Sequence, residues 1–353
     1  MEIEKIWVEV TDLLKTLIST KSLSRKEDET ASLIASFLQS KNLQVNRHLN
    51  NVWVTSPHFD DAKPTILLNS HHDTVKPNPG WTKDPFFPLL EDDKLTGLGS
   101  NDAGGPLMAL LGAFLLMKDE NNEFNLIFAA TAEEEISGKN GIASILEKLG
   151  KIDLGIVGEP TQCQMAIAEK GLMVMDCTAH GKAGHAARNE GVNSIYKAMK
   201  DIEWFRTFNF PRTSETLGEI KMSVTQIEAG KQHNVVPDLC KFVVDVRSTD
   251  AYSNKEIYEI IKQHVECEVN PRSFRLNSSG ISLNHPIVKK GIELNLSYYG
   301  SPTLSDQALM PFTTIKIGPG DSARSHTADE YIYLSEIKQG IETYVNLLSG
   351  LVF

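Results

Sequence analysis

Apolar residues in this chain gather into short runs divided by polar turns, and the character of the runs changes along its length. "TILLNSHHD" (65–73), "FNLIFAATA" (124–132) and "LGIVGEP" (154–160) are nearly continuous stretches of aliphatic and aromatic side chains. Runs of this kind predict strands covered on both faces, as in a parallel sheet. Helical segments separate them, one opened by Gly-Pro over 105–118 and one over 141–149. That alternation predicts an α/β fold, a mostly parallel sheet flanked by helices. The end of the chain resumes it, with "TTIKIGPG" (313–320) as another buried strand and "YLSEIKQGIETYVNLL" (333–348) as a closing amphipathic helix.

The middle of the chain reads differently. "MVMDCTAHG", "EIKMSVTQIEAG" and "KFVVDVRST" alternate apolar and polar positions, the pattern of antiparallel strands with one face wet. Helices are predicted at 191–206 and 254–267. An inserted α+β domain at 175–279 would leave the α/β domain discontinuous, as 1–174 and 280–353.

Composition narrows the partners. The 353 residues are 41% hydrophobic and 23% charged, as in a soluble globular protein with room for two domains. A formal net charge of −11 argues against nucleic acid or an anionic membrane, which require a basic face. A small molecule or another protein remains. The four cysteines form no C-x-x-C pair and are too sparse for a disulfide framework, so a cytoplasmic, reducing location is expected. Residues 1–20 read as an amphipathic helix rather than a signal peptide. The longest nearly apolar run, "GGPLMALLGAFLLM" at 104–117, falls short of the roughly 20 residues a bilayer demands.

Candidate chemistry collects where the apolar strands end. His71 and Asp73 follow the first, Glu133 to Glu135 the second, Glu159 the third, and His326 lies a few residues past "IKIGPG". Carboxyl ends of parallel strands open onto one crevice. Asp102 joins them from the glycine-rich "GLGSNDAGG". Taken singly, each has an ordinary reading: Asp102 as a cap for the helix near Gly105, "TAEEE" as a solvated acidic turn. Their recurrence at strand ends favours a metal centre. Imidazole and carboxylate suit zinc, manganese or cobalt, and no thiol is offered. Two histidines and three carboxylates exceed the three protein ligands usual for one catalytic zinc and suit a pair of divalent ions. Along a strand, His71 and Asp73 share a face while His72 points away. His71 is therefore the expected ligand and Asp73 the carboxylate that fixes its tautomer. His72 is expected in packing or a backbone hydrogen bond.

These residues, in this order, resemble the dinuclear zinc aminoacylase and carboxypeptidase family, which includes acetylornithine deacetylase, succinyl-diaminopimelate desuccinylase, aminoacylase and glutamate carboxypeptidase. The likeness spans nearly the whole chain and rests on "HHD", "GLGSND", "EEE", "GEP" and "RSHTADEY". It implies that Asp102 bridges two metal ions, zinc above all, with His71 and Glu159 on one and Glu135 and His326 on the other. Glu134 would be the general base of amide hydrolysis. It implies further that the inserted domain is a lid and homodimer interface, and that His185, in "HGKAGHAARNEG", reaches the partner subunit's site to bind the carbonyl oxygen. Asn234, in "HNVVPD", and Arg247, in "DVRSTD", match positions that bind the substrate's polar groups. Unaided, Arg247 reads equally as an exposed ion pair with Asp245.

The chain departs from the family pattern at Leu98 and Ala103, where basic and methionine residues are common, at Ser70 in place of glycine, and after His185, where serine and proline are absent. Its C-terminal motif is most similar to acetylornithine deacetylases. The resemblance thus implies deacylation of an N-acyl amino acid, N-acetylornithine or N-acetylcitrulline first, in arginine biosynthesis. Alternatives are an N-succinyl amino acid desuccinylase, a dipeptidase or carboxypeptidase of the same family, and a metal-bound scaffold without activity.

Overall fold

The computed structural model describes residues 2–120 and 122–353. The chain divides into two compact units. The first comprises Met1–Ile167, Gly280–Tyr299 and Ser305–Phe353, and the second Ala168–Ser279 with Gly300–Leu304. The change of unit at Ile167 precedes the change of sequence pattern at 174/175. The intervening strand is buried along its whole length, so its hydropathy matches that of the sheet before it.

The first unit opens with helices α1 (Glu2–Ile18) and α2 (Asp28–Ser40), then strands β1 (Asn46–His48), β2 (Asn51–Thr55) and β3 (Thr65–His71). A small excursion, β4 (Leu89–Glu91) and β5 (Lys94–Thr96), leads to α3 (Gly105–Met117), β6 (Asn125–Thr131), α4 (Leu146–Leu149), β7 (Leu154–Val157) and β8 (Met165–Glu169). Sequence periodicity places one helix over 141–149, but the chain makes a 3-10 turn at Ile142–Ser144 before the short α4.

The second unit supplies β9 (Met173–His180), β10 (Gly184–His185), α5 (Ser194–Thr207), β11 (Lys221–Ala229), β12 (Val235–Val236), β13 (Leu239–Arg247), α6 (Asn254–His264) and β14 (Glu268–Pro271). After β15 (Ser279–Gly280) come α7 (Pro286–Glu293), β16 (Tyr298–Ser301), β17 (Thr314–Lys316), β18 (Tyr331–Tyr333) and α8 (Leu334–Leu348).

The main sheet runs β1-β2-β6-β3-β7-β17-β8-β15. Its four central strands, β6, β3, β7 and β17, are mutually parallel, while β1, β2 and β8 pair antiparallel at the flanks. Strands β3 and β6 are buried at every residue, which is why their sequences lack alternation. Helix α3 is buried nearly all round. It lies in a core with Phe128, Ile156 and the inner stripe of α8, Ile337, Ile341 and Tyr344.

In the second unit a four-stranded antiparallel sheet, β11-β13-β9-β14, carries α5 and α6. Exposure alternates along β9 and β13, so Met175, Cys177, Phe242 and Val244 form one buried face with Ala198, Phe205, Ile257 and Ile261 of the helices. Such alternation is what a sheet with one covered face requires. Among the described residues no helix is long and apolar enough to cross a membrane.

Candidate metal centre

Because β3, β6, β7 and β17 are parallel, their carboxyl ends lie on one edge of the sheet. His71 is the last residue of β3. The chain leaves β6 at Thr131, turns at Glu133 in the left-handed conformation and presents Glu134 and Glu135 from a single 3-10 turn. Glu159 follows β7 by two residues, and the loop after β17 carries His326. The fifth component is the loop before α3. Helix α3 is preceded by Gly104 without a side-chain cap, so Asp102 is no helix cap. Its carboxylate is free to face the histidines.

Two further residues hold these loops. The Glu330 carboxylate, 2% exposed, accepts the backbone N–H groups of Gly99 at 3.2 Å and of Asn101 and Asp102 at 2.9 Å each. Asn101 ties this loop to the one bearing His326. Its Oδ1 accepts from Asp321 N at 3.0 Å and its Nδ2 donates to Asp321 O at 3.1 Å. Gly320 permits that approach, since it has φ +88 and a Cβ there would stand 2.5 Å from Asn101 Oδ1.

Asp102 sits between the two imidazoles. Its Oδ1 is 3.3 Å from His71 Nε2 and its Oδ2 is 3.6 Å from His326 Nε2. Glu134 Oε2 and Glu159 Oε1 lie 3.8 and 3.9 Å from His71 Nε2, while Glu135 Oε2 is 2.9 Å from His326 Nε2. One ligand atom each from His71, Asp102 and Glu135 fits within 4.8 Å of the others. His71 Nδ1 donates to the backbone carbonyl of Asp73 at 3.0 Å, which points Nε2 at the carboxylates. That Nε2 is buried and has no hydrogen-bond partner.

Electrostatics shows what the site demands. Burial pushes Glu134 well above the carboxylate range and Glu159 up to about 8, and the neighbouring acids add to the shift. Glu135 is raised by burial too. His326 is lifted to about 9, chiefly by Glu135. Burial opposes a charge on His71, yet Asp102 and Asp73 raise it well above its ordinary value. Of the four acids, Asp102 alone is held low, against its burial, by the two histidines, so the three glutamates tend to hold protons unless other cations take their place. The orphaned Nε2 and an oxygen-nitrogen donor set without thiols fit divalent metal ions.

Asp73 does more than expected of it. Its carboxylate is 3.5 Å from His71 Nδ1, farther than the carbonyl of the same residue. It accepts from Ser24 Oγ at 2.7 Å and from the N–H groups of Glu134 and Glu135 at 3.0 and 3.3 Å. Asp73 therefore anchors the acidic turn as well as facing the imidazole. Burial tends to raise its pKa, but His71 and Ser24 outweigh that and hold it low.

Glu133 is turned away, with its carboxylate on Asn140 Nδ2 at 2.9 Å. A Cβ on Gly138 would stand 2.4 Å from the Glu133 Cβ, so the turn depends on this glycine. Ser70 donates to Gly158 O at 2.8 Å, linking β3 to the residue before Glu159. Leu98 and Ala103 are buried packing residues. His72 points away, its Nδ1 2.9 Å from Thr30 Oγ1 and its Nε2 2.9 Å from Asn50 O.

Sequence reasoning missed Glu330 and Asp306. Glu330 stands beside Asp329 in a stretch that reads as an exposed acidic turn. Asp306, in "TLSDQAL", follows no apolar strand, yet it is 3% exposed and burial pushes it up to about 6.

His185, Asn234 and Arg247 belong to the second unit. The ribbon β10–β12 pairs His185 with Val235, and Ala186 N donates to Asn234 O at 3.0 Å, so His185 and Asn234 are neighbours there. Arg247, at the end of β13, holds Asp245 through two bonds, Nε–Oδ1 at 2.7 Å and NH2–Oδ2 at 3.1 Å.

Comparison with known proteins adds an independent observation. Residues 67–350 match the model of peptidase family M20/M25/M40. The chain is 26% identical to succinyl-diaminopimelate desuccinylase of Orientia tsutsugamushi, over 73% of this chain and 71% of that one. It is 25% identical to acetylornithine deacetylase of Buchnera aphidicola, over 94% of each. It is 28% identical to the [LysW]-lysine/[LysW]-ornithine hydrolase of Saccharolobus solfataricus, over 98% of this chain and 96% of that one. Among solved structures, aminopeptidase PepT from Bacillus cereus superposes with a TM-score of 0.78 at 18% identity, covering 97% of this chain and 98% of that one.

Proposed function

Because the chain belongs to peptidase family M20/M25/M40 and is a metal-dependent amidohydrolase, we propose that it removes the acyl group from the α-nitrogen of an amino acid, N-acetylornithine or N-acetylcitrulline first. One observation carries the hydrolytic part. Asp102 offers one oxygen to each of two histidines, while Glu134 stands beside them. In this reading Asp102 would be shared by two ions, with His71 and Glu159 holding one and Glu135 and His326 the other. Zinc heads the candidates, with cobalt or manganese as substitutes. Bound there, the ions would lower the pKa of a water and polarise the scissile carbonyl.

The chain's own residues supply the rest. Glu134 takes the proton of the attacking water and passes it to the leaving amine. Asp73 holds the Glu134 amide, and so the base, in place. His185 donates to the carbonyl oxygen as it gains charge, and Asn234 beside it binds the amide. Arg247 grips the substrate carboxylate with the fork that now holds Asp245. The preference for an ornithine-type product rests on names: two relatives that align along almost the whole chain carry ornithine in theirs. A desuccinylase reading follows from the third. The four free cysteines support a reducing compartment.

A kinetic panel tests the substrate. N-acetyl and N-succinyl forms of ornithine, citrulline, lysine and diaminopimelate, set beside unblocked dipeptides and run with zinc, cobalt and manganese, should give the highest kcat/KM on N-acetylornithine or N-acetylcitrulline. Cleavage confined to dipeptides would replace this reading with a peptidase. Subunit complementation tests His185. Inactive Glu134→Ala and His185→Ala chains, mixed into heterodimers, should regain part of the activity if His185 serves the partner's site. Verified heterodimers without activity would remove that role.

A further inference from the structure

The reaction so described gives no task to Asp306, a buried acid hydrogen-bonded to the strands that carry the centre. Asp306 opens a 3-10 turn, Asp306–Leu309. Its Oδ2 accepts from Asn69 Nδ2 at 3.1 Å and from Thr131 Oγ1 at 2.9 Å. Asn69 lies two residues before His71 on β3, and therefore on the same face of the strand. Thr131 ends β6 and is the direct parallel partner of His71. One carboxylate oxygen thus joins the two strand ends that carry the first histidine and the acidic turn.

The arrangement is tied from several sides. His72 N donates to Thr131 O at 2.9 Å. The Thr131 hydroxyl also lies 3.3 Å from Asn69 Oδ1 and 3.2 Å from Ser70 O, but Asp306 is its nearest acceptor. Were Asp306 removed, that hydroxyl would still have acceptors on β3, whereas the tie to the turn at 306 would be gone. The loss would then fall on alignment more than on folding. Beyond Thr131 the chain needs only three residues to reach Glu134, whose Oε2 is 3.8 Å from His71 Nε2.

We propose that Asp306 is a positioning residue for hydrolysis, acting through Asn69 and Thr131 to set the Glu134 carboxylate against the His71 imidazole. This rests on the reading of Glu134 as the base. Carboxylates that orient a metal site from behind its ligands are worth about 10- to 100-fold in metal affinity or activity, and here the effect belongs to kcat.

The test uses the metal-loaded full chain. Asp306→Ala should lower kcat about 10- to 100-fold with KM and bound metal nearly unchanged. Asp306→Asn keeps an oxygen for both donors and should recover most of the rate. Thr131→Val should lower kcat in the same sense, and the double variant with Asp306→Ala should be hardly slower than Asp306→Ala alone, because both act through one contact. If Asp306→Ala does not fold, Asp306→Asn and Thr131→Val carry the test: wild-type kcat in Thr131→Val overturns the proposal. So would wild-type kcat in Asp306→Ala, strictly multiplicative losses in the double variant, or Asp306→Asn as slow as Asp306→Ala. Glu134→Ala is assayed alongside. Full activity there removes the base itself, whereas an inactive Glu134→Ala beside a wild-type Asp306→Ala removes only the positioning role.

Discussion

Replacing Glu134 with Ala is expected to lower kcat by about 10²- to 10⁴-fold, the range a positioned general base contributes, while bound metal stays at the wild-type level. The expectation follows from its place. Glu134 shares the turn of Glu135 and brings its Oε2 to 3.8 Å from His71 Nε2, and in the proposed reading it is the acid of the centre that holds no ion. Removing it leaves the five other histidine and carboxylate side chains of the centre intact. Metal content and steady-state kinetics measured on one preparation decide the matter. Lost metal would make Glu134 a ligand, and an unchanged kcat would leave the reaction without its base. The same pair of measurements separates an enzyme from a metal-bound scaffold, which has no need of a carboxylate in this position.

The second large effect concerns the adjacent histidines. His71→Ala should lose metal and activity together, and by more than the 10- to 100-fold typical of residues behind the ligands. His72→Ala should keep its metal and lose stability instead, about 1–3 kcal/mol from the Asn50 carbonyl left unpaired and the lost contact with Thr30, whose hydroxyl keeps Ser22 and Glu27. Acid sharpens the contrast. Burial presses the pKa of His72 from 6.5 to about 4, so the folded chain refuses a proton that the unfolded chain accepts. Its contribution is complete above pH 6.5 and is lost as pH falls toward 4, to the extent of about 3 kcal/mol over that window. Urea unfolding at pH 7 and pH 5 should show a steeper decline in the wild-type chain than in His72→Ala. Equal metal loss from both variants would overturn the division of labour between the two rings.

Much of this centre could be read from local pattern, because its chemistry follows apolar strands. A strand buried on both faces has an unmistakable sequence, and the residues just past it occupy the carboxyl edge of a parallel sheet whatever the connections. That logic reached His71, Glu134, Glu135 and Glu159, and the alternation of faces told His71 from His72. It did not reach Asp306 or Glu330. Neither directly follows an apolar strand, and each becomes buried only when segments more than 170 residues away in sequence close over it, as the contacts of Asp306 with Thr131 and of Glu330 with Asp102 require. Helix 141–149 was overdrawn for a related reason. Four residues of α4 and a preceding 3-10 turn satisfy the same apolar spacing as one longer helix.

Local hydropathy and covalent order therefore determined by themselves the four central strands of the first unit, the alternating strands β9, β11 and β13 of the second, and the set of imidazoles and carboxylates brought to one sheet edge. Those features depend on which residues must leave water, and that is written in side-chain type and spacing. Tertiary structure alone decided which oxygen faces which nitrogen. Asp102 divides its two oxygens between His71 and His326, Glu135 faces His326, and Asp306 joins Asn69 to Thr131. Hydrogen bonds and ion pairs act over a few ångströms between groups distant in sequence, so their partners are fixed only when the chain has closed.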